Sequence, residues 1–221
     1  MNDQTAPAYP RSLFVFALLY GGMTCIAGVL GAKQVALGPL AVEAGIFPFL
    51  LLVVLGSTVA ELHGRETANG LVRYGFIPLL TSIALIWLVL RLPMDEGMYE
   101  PAKEAFPIIL GQSWRLMAAG IVAYGISQFL NVYIFSRLRG GDTSRGGVWL
   151  AARAAIASAV SQIVDTLIFI TISFYGVRPI GELLLGQAAA KVVLSVVLVP
   201  VLITLFVGLG RRLDGARPAH A

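Results

Sequence analysis

The sequence predicts an all-α integral membrane protein with six transmembrane helices. Of its 221 residues, 57% are hydrophobic and 13% are charged, against about 25% charged in an ordinary soluble domain. The mean hydropathy is +0.83. Several apolar runs approach or exceed the roughly 18 residues that indicate a membrane-spanning helix. These observations favour one membrane domain with little soluble mass, so the lipid bilayer is an expected partner.

Six apolar segments are separated by polar or glycine-rich connections, the longest of which is the acidic stretch 92–107. The predicted spans cover residues 12–31, 45–62, 68–91, 113–136, 148–175 and 183–209. Arg11 precedes the first apolar run and no clear cleavage site follows soon, so a retained helix is expected there. The spans define a six-helix membrane domain over residues 12–210, with an N-terminal tail (1–11) and a C-terminal tail (211–221).

Positive charge is distributed unevenly over the predicted connections. With six spans, the two termini and the second and fourth connections share one side, which holds ten lysine and arginine residues. The opposite side holds five, beside the acidic third connection. Because cytoplasmic segments carry an excess of lysine and arginine, both termini are predicted to be cytoplasmic. The net charge of +4 is explained by this orientation and requires no nucleic-acid partner.

Catalytic and cofactor motifs are missing from the sequence. Cys25 is the only cysteine, so an intrachain disulfide is impossible and a zinc cluster is not expected. The sequence contains no HExxH, GxSxG or GxxxxGK[ST] motif. We therefore expect neither an enzyme nor a bound metal or cofactor, and no ATP hydrolysis through a P-loop.

Two successive predicted helices carry matching polar patterns within apolar surroundings. The fourth span contains "SQFLN", with Gln128 and Asn131, and the fifth contains "SQIVD", with Gln162 and Asp165. Residues three apart lie on one face of a helix. Each helix therefore presents an amide and a second hydrogen-bonding group on the same face, which indicates a polar pocket between helices.

Asp165 lies near the middle of the fifth span. An ionisable group there costs roughly 2.5–3.5 kcal/mol on insertion scales, so it needs a partner, a water-filled cavity or a proton. Lys191, within the sixth span, is the nearest candidate cation, and Lys33 and Glu61 lie near span ends. Simpler roles remain open: a structural Asp165–Lys191 pair, amides that join helices, a lysine that extends to the interface, and a carboxylate that ends its helix.

The segments "GVLGAKQVAL", "GIFPFLLLVVLGSTVAELHG", "YGISQFLNVYIFSRLR" and "SAVSQIVDTLIFITISFYG" resemble the queuosine precursor transporter family, also called the vitamin uptake transporter family. The resemblance covers about residues 25–205, and "SQFLNVYIFSRLR" and "SQIVDTLIF" are its most specific parts. At the end of the second span the sequence departs from the family pattern, which often has an acidic residue where this chain has Ser57.

The resemblance implies a six-helix fold similar to the substrate-binding components of energy-coupling-factor transporters. It also implies uptake of a 7-deazaguanine base, such as 7-cyano-7-deazaguanine or its aminomethyl derivative, across the bacterial inner membrane. Members of the family are thought to work without a dedicated ATPase. The expected substrate-binding residues are Asp165, Gln162, Gln128, Asn131, Lys191 and Lys33.

The resemblance assigns these residues complementary roles toward a guanine-like base. Asp165 would accept both N1–H and the exocyclic amine, and the amides would satisfy O6 and the remaining ring edge. Lys191 would keep Asp165 ionised or donate to O6, and Lys33 would close the outer mouth. Possible stacking surfaces are Tyr124, Phe129 and Tyr133.

Two other functions are compatible with the sequence. The chain could be the substrate-binding subunit of an ATP-driven vitamin transporter, although the usual pair of alanines four apart is absent from its first helix. It could also be a membrane scaffold in which Asp165 and Lys191 clamp two helices. The preferred base, the driving force and the oligomeric state are left open.

Overall fold

A computed structural model describes residues 9–37, 40–139, 147–177 and 179–215. Within these ranges the chain forms seven α-helices and one antiparallel β-hairpin. The elements in chain order are α1 (Arg11–Gly31), β1 (Gln34–Leu37), β2 (Leu40–Glu43), α2 (Ile46–His63), α3 (Arg65–Val89), α4 (Glu100–Leu110), α5 (Trp114–Arg137), α6 (Gly147–Phe174) and α7 (Gly181–Gly215).

Six of these helices are long and apolar enough to cross a membrane: α1, α2, α3, α5, α6 and α7. This confirms the predicted all-α membrane fold. The helix bounds lie within a few residues of the predicted spans, except that α7 continues to Gly215. The apolar run ends earlier, but no glycine or proline interrupts residues 211–214, so the helix extends beyond the run.

Two elements of the fold were not predicted from the sequence. A short hairpin joins α1 to α2, with Gln34 opposite Glu43 and Val35 opposite Val42. Helix α4 occupies part of the acidic stretch that separates α3 from α5. It begins with Glu100 and Pro101, which favour a helix N-terminus. Its 11 residues are too few to cross a bilayer, so the length of apolar runs does not predict it.

The chain ends of the described bundle meet at one side. The Ser12 hydroxyl lies 2.7 Å from His63 Nε2 and donates to Asp214 Oδ2 at 2.7 Å. Asp214 Oδ1 also accepts from the Ser12 backbone N–H at 3.0 Å, so it satisfies a group that the start of a helix leaves unpaired. We call this side of the bundle the termini end and the opposite side, where the hairpin lies, the hairpin end.

Helix α2 is the central helix of the bundle. Of its most apolar 18-residue window, 67% is buried, against 11% for α3. It packs against α1, α3, α5 and α7, while α6 packs most extensively against α5 and α7. Close packing of α3 depends on Gly75, because a Cβ there would lie 2.3 Å from the Tyr124 hydroxyl and 2.7 Å from Tyr20 Cε1.

Candidate functional site

A cavity of about 600 Å³ occupies the half of the bundle nearer the hairpin end. Its size is typical of a small-molecule site. The residues that line it belong to the C-terminal halves of α1 and α3, the N-terminal halves of α2, α5 and α7, and the C-terminal half of α6. Toward the middle of the bundle the lining stops at residues that include Tyr124, Asp165 and Lys191, which we call the floor of the cavity.

The walls of the cavity are mostly apolar and aromatic. Phe49, Trp87, Tyr124 and Phe169 line it together with aliphatic side chains of α1, α3 and α5. At the hairpin end, α4 contributes Ile108, Ile109 and Leu110. Flat aromatic side chains can stack on a planar ring, so the walls suit a planar heterocycle.

The segment between α4 and α5 is fixed to the neighbouring helices. Gln112 Nε2 donates to the Gly28 carbonyl at 2.7 Å. Arg115 donates to the carbonyl oxygens of Ile172 and Tyr175 near the end of α6. These bonds hold the start of α5 against α1 and α6 at the mouth of the cavity.

Asp165 and Lys191 form an ion pair at the floor. Lys191 Nζ donates to Asp165 Oδ2 at 2.9 Å, and Ser127 Oγ donates to Asp165 Oδ1 at 3.4 Å. The two side chains are 7% and 12% exposed, and the lysine nitrogen also lies 5.9 Å from the centroid of the Phe49 ring. The expected pairing is therefore present, and it leaves both charges in contact with the cavity.

The three predicted amides lie between the floor and the termini end. Gln128, Asn131 and Gln162 are fully buried, and none of them is among the residues that line the cavity. Asn131 Nδ2 donates to the Ser57 hydroxyl at 3.1 Å and to the Val53 carbonyl at 3.2 Å. The amides therefore lie below the floor of the cavity, and Ser57 acts there as a hydrogen-bond acceptor.

Several polar atoms of these amides have no partner within the described part of the chain. They are Gln128 Nε2, Asn131 Oδ1 and both side-chain polar atoms of Gln162. Gln128 Oε1 accepts from Tyr20 at a long 3.5 Å. A buried polar atom without a hydrogen bond costs about 1–3 kcal/mol. This layer therefore has hydrogen-bonding capacity that the described part of the chain does not use.

Lys33 and two of the predicted aromatic residues lie apart from the cavity. The Lys33 side chain is exposed just beyond the end of α1, and Phe129 and Tyr133 are partly exposed on α5. None of the three is among the residues that line the cavity. Their roles stay predictions, whereas Tyr124 does line it.

Glu43 is a cavity residue that the sequence analysis missed. It is the last residue of β2, and its Oε1 accepts from Gln187 Nε2 at 3.4 Å. Glu43 lies in a segment that the sequence predicts to be a connection between two spans, so it was not predicted as a site residue. Gln187 precedes Lys191 by four residues and therefore lies on the same face of α7, but this spacing does not identify Glu43 as its partner.

Ser12, His63 and Asp214 are the residue types of a hydrolytic triad, but their arrangement differs. In a triad the histidine lies between the hydroxyl and the carboxylate. Here Asp214 binds the serine hydroxyl directly, and its closest carboxylate oxygen lies 3.8 Å from the same His63 nitrogen that contacts the serine. The cluster joins the ends of α1, α2 and α7.

Comparison with known proteins agrees with the membrane fold. The family model described as "Putative vitamin uptake transporter" matches residues 43–205, which is more than half of the chain. A protein of Bacillus subtilis (strain 168) named "Probable queuosine precursor transporter" is 30% identical over 164 residues, which cover 72% of this chain and 68% of that protein. No solved structure matches the chain. The chain is thus a multi-pass membrane transporter that belongs to the vitamin uptake transporter family.

Proposed function

We propose that the protein imports 7-deazaguanine bases such as 7-cyano-7-deazaguanine and 7-aminomethyl-7-deazaguanine. The observation that carries this proposal is a carboxylate, Asp165, at the floor of an aromatic-lined cavity of about 600 Å³. The substrate class comes from the name of the Bacillus subtilis relative and from the family resemblance. The cavity is large enough for a bicyclic base and leaves space for its C7 substituent.

The chemistry of Asp165 fits the edge of a guanine-like base. N1–H and the exocyclic amine are adjacent donors, and one carboxylate can accept from both in a charge-assisted pair of hydrogen bonds. Adenine presents an acceptor at N1, so it would leave a carboxylate oxygen without a donor, which strongly disfavours binding. Lys191 occupies Asp165 Oδ2 in the present structure. On binding it would give way to the base and donate to O6.

The buried amides lie on the route that the base would take from the cavity to the termini end. Transport requires the site to face each side of the membrane alternately, and the cavity described here faces the hairpin end. Opening toward the termini end would expose the layer that contains Gln128, Asn131 and Gln162. Their unpartnered atoms would then bind the passing base or water. With the termini in the cytoplasm of a bacterial cell, the present state faces outward from the inner membrane, as an importer requires before it binds its substrate.

Gln162→Leu tests the role of the amide layer. Because both side-chain polar atoms of Gln162 are buried without a partner among the described residues, their removal is expected to leave the melting temperature unchanged or raise it. Uptake is expected to fall about twofold to tenfold, as for the loss of one neutral hydrogen bond to the base. The measurements are thermal unfolding in detergent and initial uptake rate. The same change at exposed Gln34 is the control, and unchanged uptake by Gln162→Leu would exclude the amide from the path.

The substrate assignment is tested by uptake of labelled 7-cyano-7-deazaguanine. Cells that lack their own synthesis and transport of the base should accumulate it only when they express this protein. The purified protein should be stabilised against heat by both deazaguanines and not by adenine. Absence of uptake and of stabilisation with every deazaguanine would refute the proposal.

Purified protein in liposomes separates an independent carrier from the subunit of an ATP-driven system. A carrier that works alone should equilibrate the labelled base without ATP or a second protein. Binding of the base without any movement across the membrane would instead support the ATP-driven alternative.

A further inference from the structure

A second cavity, of about 420 Å³, lies at the termini end of the bundle. We call it the arginine cavity. It is formed where the end of α2 and the start of α3 meet the end of α5, and its lining consists of Ala60, Arg65, Phe135, Ser136, Arg137 and Arg139. None of these residues lines the larger cavity at the hairpin end, so the two cavities are distinct.

The lining of the arginine cavity has a formal charge of +3, because it contains three arginines and no carboxylate. Within the described ranges, none of the three arginines forms an ion pair. The nearby Glu61 is paired with Arg153, whose guanidinium lies over the ring of Phe135. Glu66 is exposed in the first turn of α3 and lies outside the lining. A concave surface with charge of one sign attracts a ligand of the opposite sign.

The donor groups of this cavity suit a phosphate. A guanidinium presents its N–H donors in a planar fork that can bind two phosphate oxygens at once. Ser136 Oγ is buried and has no hydrogen-bond partner in the described part of the chain, so it can donate one more bond. The preference for positive charge on the cytoplasmic side accounts for the number of arginines at this end, but not for their placement around one cavity without a carboxylate.

We infer that the arginine cavity binds a phosphate group, supplied by the headgroup of an anionic phospholipid or by a soluble phosphate. The Arg65 guanidinium carbon lies 5.1 Å from the centroid of the Tyr133 ring, and Tyr133 is 47% exposed on the surface of α5. Tyrosines on the outside of membrane helices concentrate at the level of the headgroups, where lipid phosphates are within reach. This inference does not depend on which substrate the larger cavity binds.

A bound phosphate would join the turn between α2 and α3 to the end of α5. Because a ligand that binds only the folded state stabilises it, the ligand should raise the melting temperature as well as bind measurably. Both quantities are measured on the full-length protein purified in a neutral detergent, by thermal unfolding and by calorimetry.

Three probes distinguish the two sources of phosphate. They are a short-chain phosphatidylglycerol, a phosphatidylcholine with the same acyl chains, and inorganic phosphate at constant ionic strength. Phosphatidylcholine carries a cation that the arginines repel, so the wild type should bind it more weakly than phosphatidylglycerol. Binding of phosphatidylglycerol alone identifies a lipid site, and binding of inorganic phosphate identifies a site that accepts the soluble ion; both results support the inference.

Replacement of the lining arginines tests the cavity itself. In the triple variant Arg65→Gln, Arg137→Gln, Arg139→Gln, the affinity for the probe that the wild type binds is expected to fall at least about tenfold, as for the loss of charge-assisted hydrogen bonds. Arg65→Gln alone should lower it about threefold to tenfold, and this single variant provides the test if the triple variant does not fold.

A matched variant controls for net charge. Arg73→Gln, Arg211→Gln, Arg212→Gln removes three exposed arginines that lie outside the arginine cavity, and it should keep the wild-type affinity. If it weakens binding as much as the triple variant of the cavity does, net charge explains the binding and the inference is refuted. The inference is also refuted if the wild type binds neither phosphatidylglycerol nor inorganic phosphate, if it binds the two lipids equally, or if loss of the lining arginines leaves binding unchanged.

Discussion

The Asp165→Asn variant is expected to bind 7-deazaguanine bases about tenfold to a hundredfold more weakly than the wild type. A hydrogen bond to a charged group contributes about 1.5–3 kcal/mol, and each 1.4 kcal/mol is a factor of ten in affinity. Asparagine retains one acceptor but presents an N–H₂ group where the carboxylate has its second oxygen. One donor of the base would then face another donor, so two-point binding is lost.

The variant also leaves Lys191 without its ionic partner at the floor of the cavity. A lower protein yield could therefore be mistaken for a binding defect. Affinity is measured by calorimetry on purified protein, and uptake is compared at equal amounts in the membrane. Asp95→Asn makes the same chemical change in an exposed connection and should leave both quantities unchanged.

A double variant distinguishes a substrate-binding role of Asp165 from an ion pair that only holds two helices together. In Asp165→Asn, Lys191→Met, the buried charges are both removed, so an ion pair that only joins α6 to α7 is no longer required. Normal uptake by this double variant would show that the pair is at most structural and would contradict the proposed role of Asp165. Persistent loss of binding, with a melting temperature near that of the wild type, would support it.

The second large effect is expected at Arg153, where Arg153→Met should lower the free energy of unfolding by about 3–5 kcal/mol. Arg153 and Glu61 form an ion pair whose side chains are 4% and 14% exposed. The guanidinium also lies 4.3 Å from the centroid of the Phe135 ring. Removal of the arginine leaves the largely buried Glu61 carboxylate without this counter-charge. An uncompensated buried charge is the main cost of breaking such an ion pair.

Unfolding of the purified protein in detergent, by heat or denaturant, measures this effect. Because Glu61→Gln together with Arg153→Met removes both charges, the double variant should recover most of the lost stability. Arg73→Met replaces an exposed arginine of α3 and should change stability by less than about 0.5 kcal/mol. If the single and double variants are equally unstable, the loss comes from the packing of Arg153 on Phe135 and not from the unpaired charge.

The spans could be predicted from the sequence because the length of an apolar run is fixed by the thickness of the bilayer. Neither α4 nor the hairpin is subject to that constraint, and both lie in segments that resemble ordinary connections. The predicted end of α7 came too early because bilayer thickness limits the apolar run and not the helix itself. A helix can continue into water where its polar residues form contacts, as Asp214 does with Ser12.

Of the six residues predicted to bind substrate, Asp165 and Lys191 are the two that line the described cavity. Helical spacing places Gln162 and Asp165 on one face, and the cost of a charge in lipid requires a partner such as Lys191. Helical spacing does not give the depth of the cavity along that face. In the structure the cavity ends at Asp165 and leaves Gln162 beneath it. Glu43 enters the site only through the packing of β2 against α7, a tertiary contact without a local signal.

The neutral Asp165–Lys191 pair bears on the energetics of transport. Since the pair has no net charge, it adds no electrical work when the empty protein reorients in the membrane field. In a carrier that moves the base alone, a neutral nitrile base responds only to its own concentration difference. A cationic aminomethyl base moves one charge inward in each cycle, worth about 2.3 kcal/mol per 100 mV. The membrane voltage would then concentrate the aminomethyl base inside the cell. The nitrile base would only reach equal concentrations on both sides, and its further net entry would require the cell to consume it.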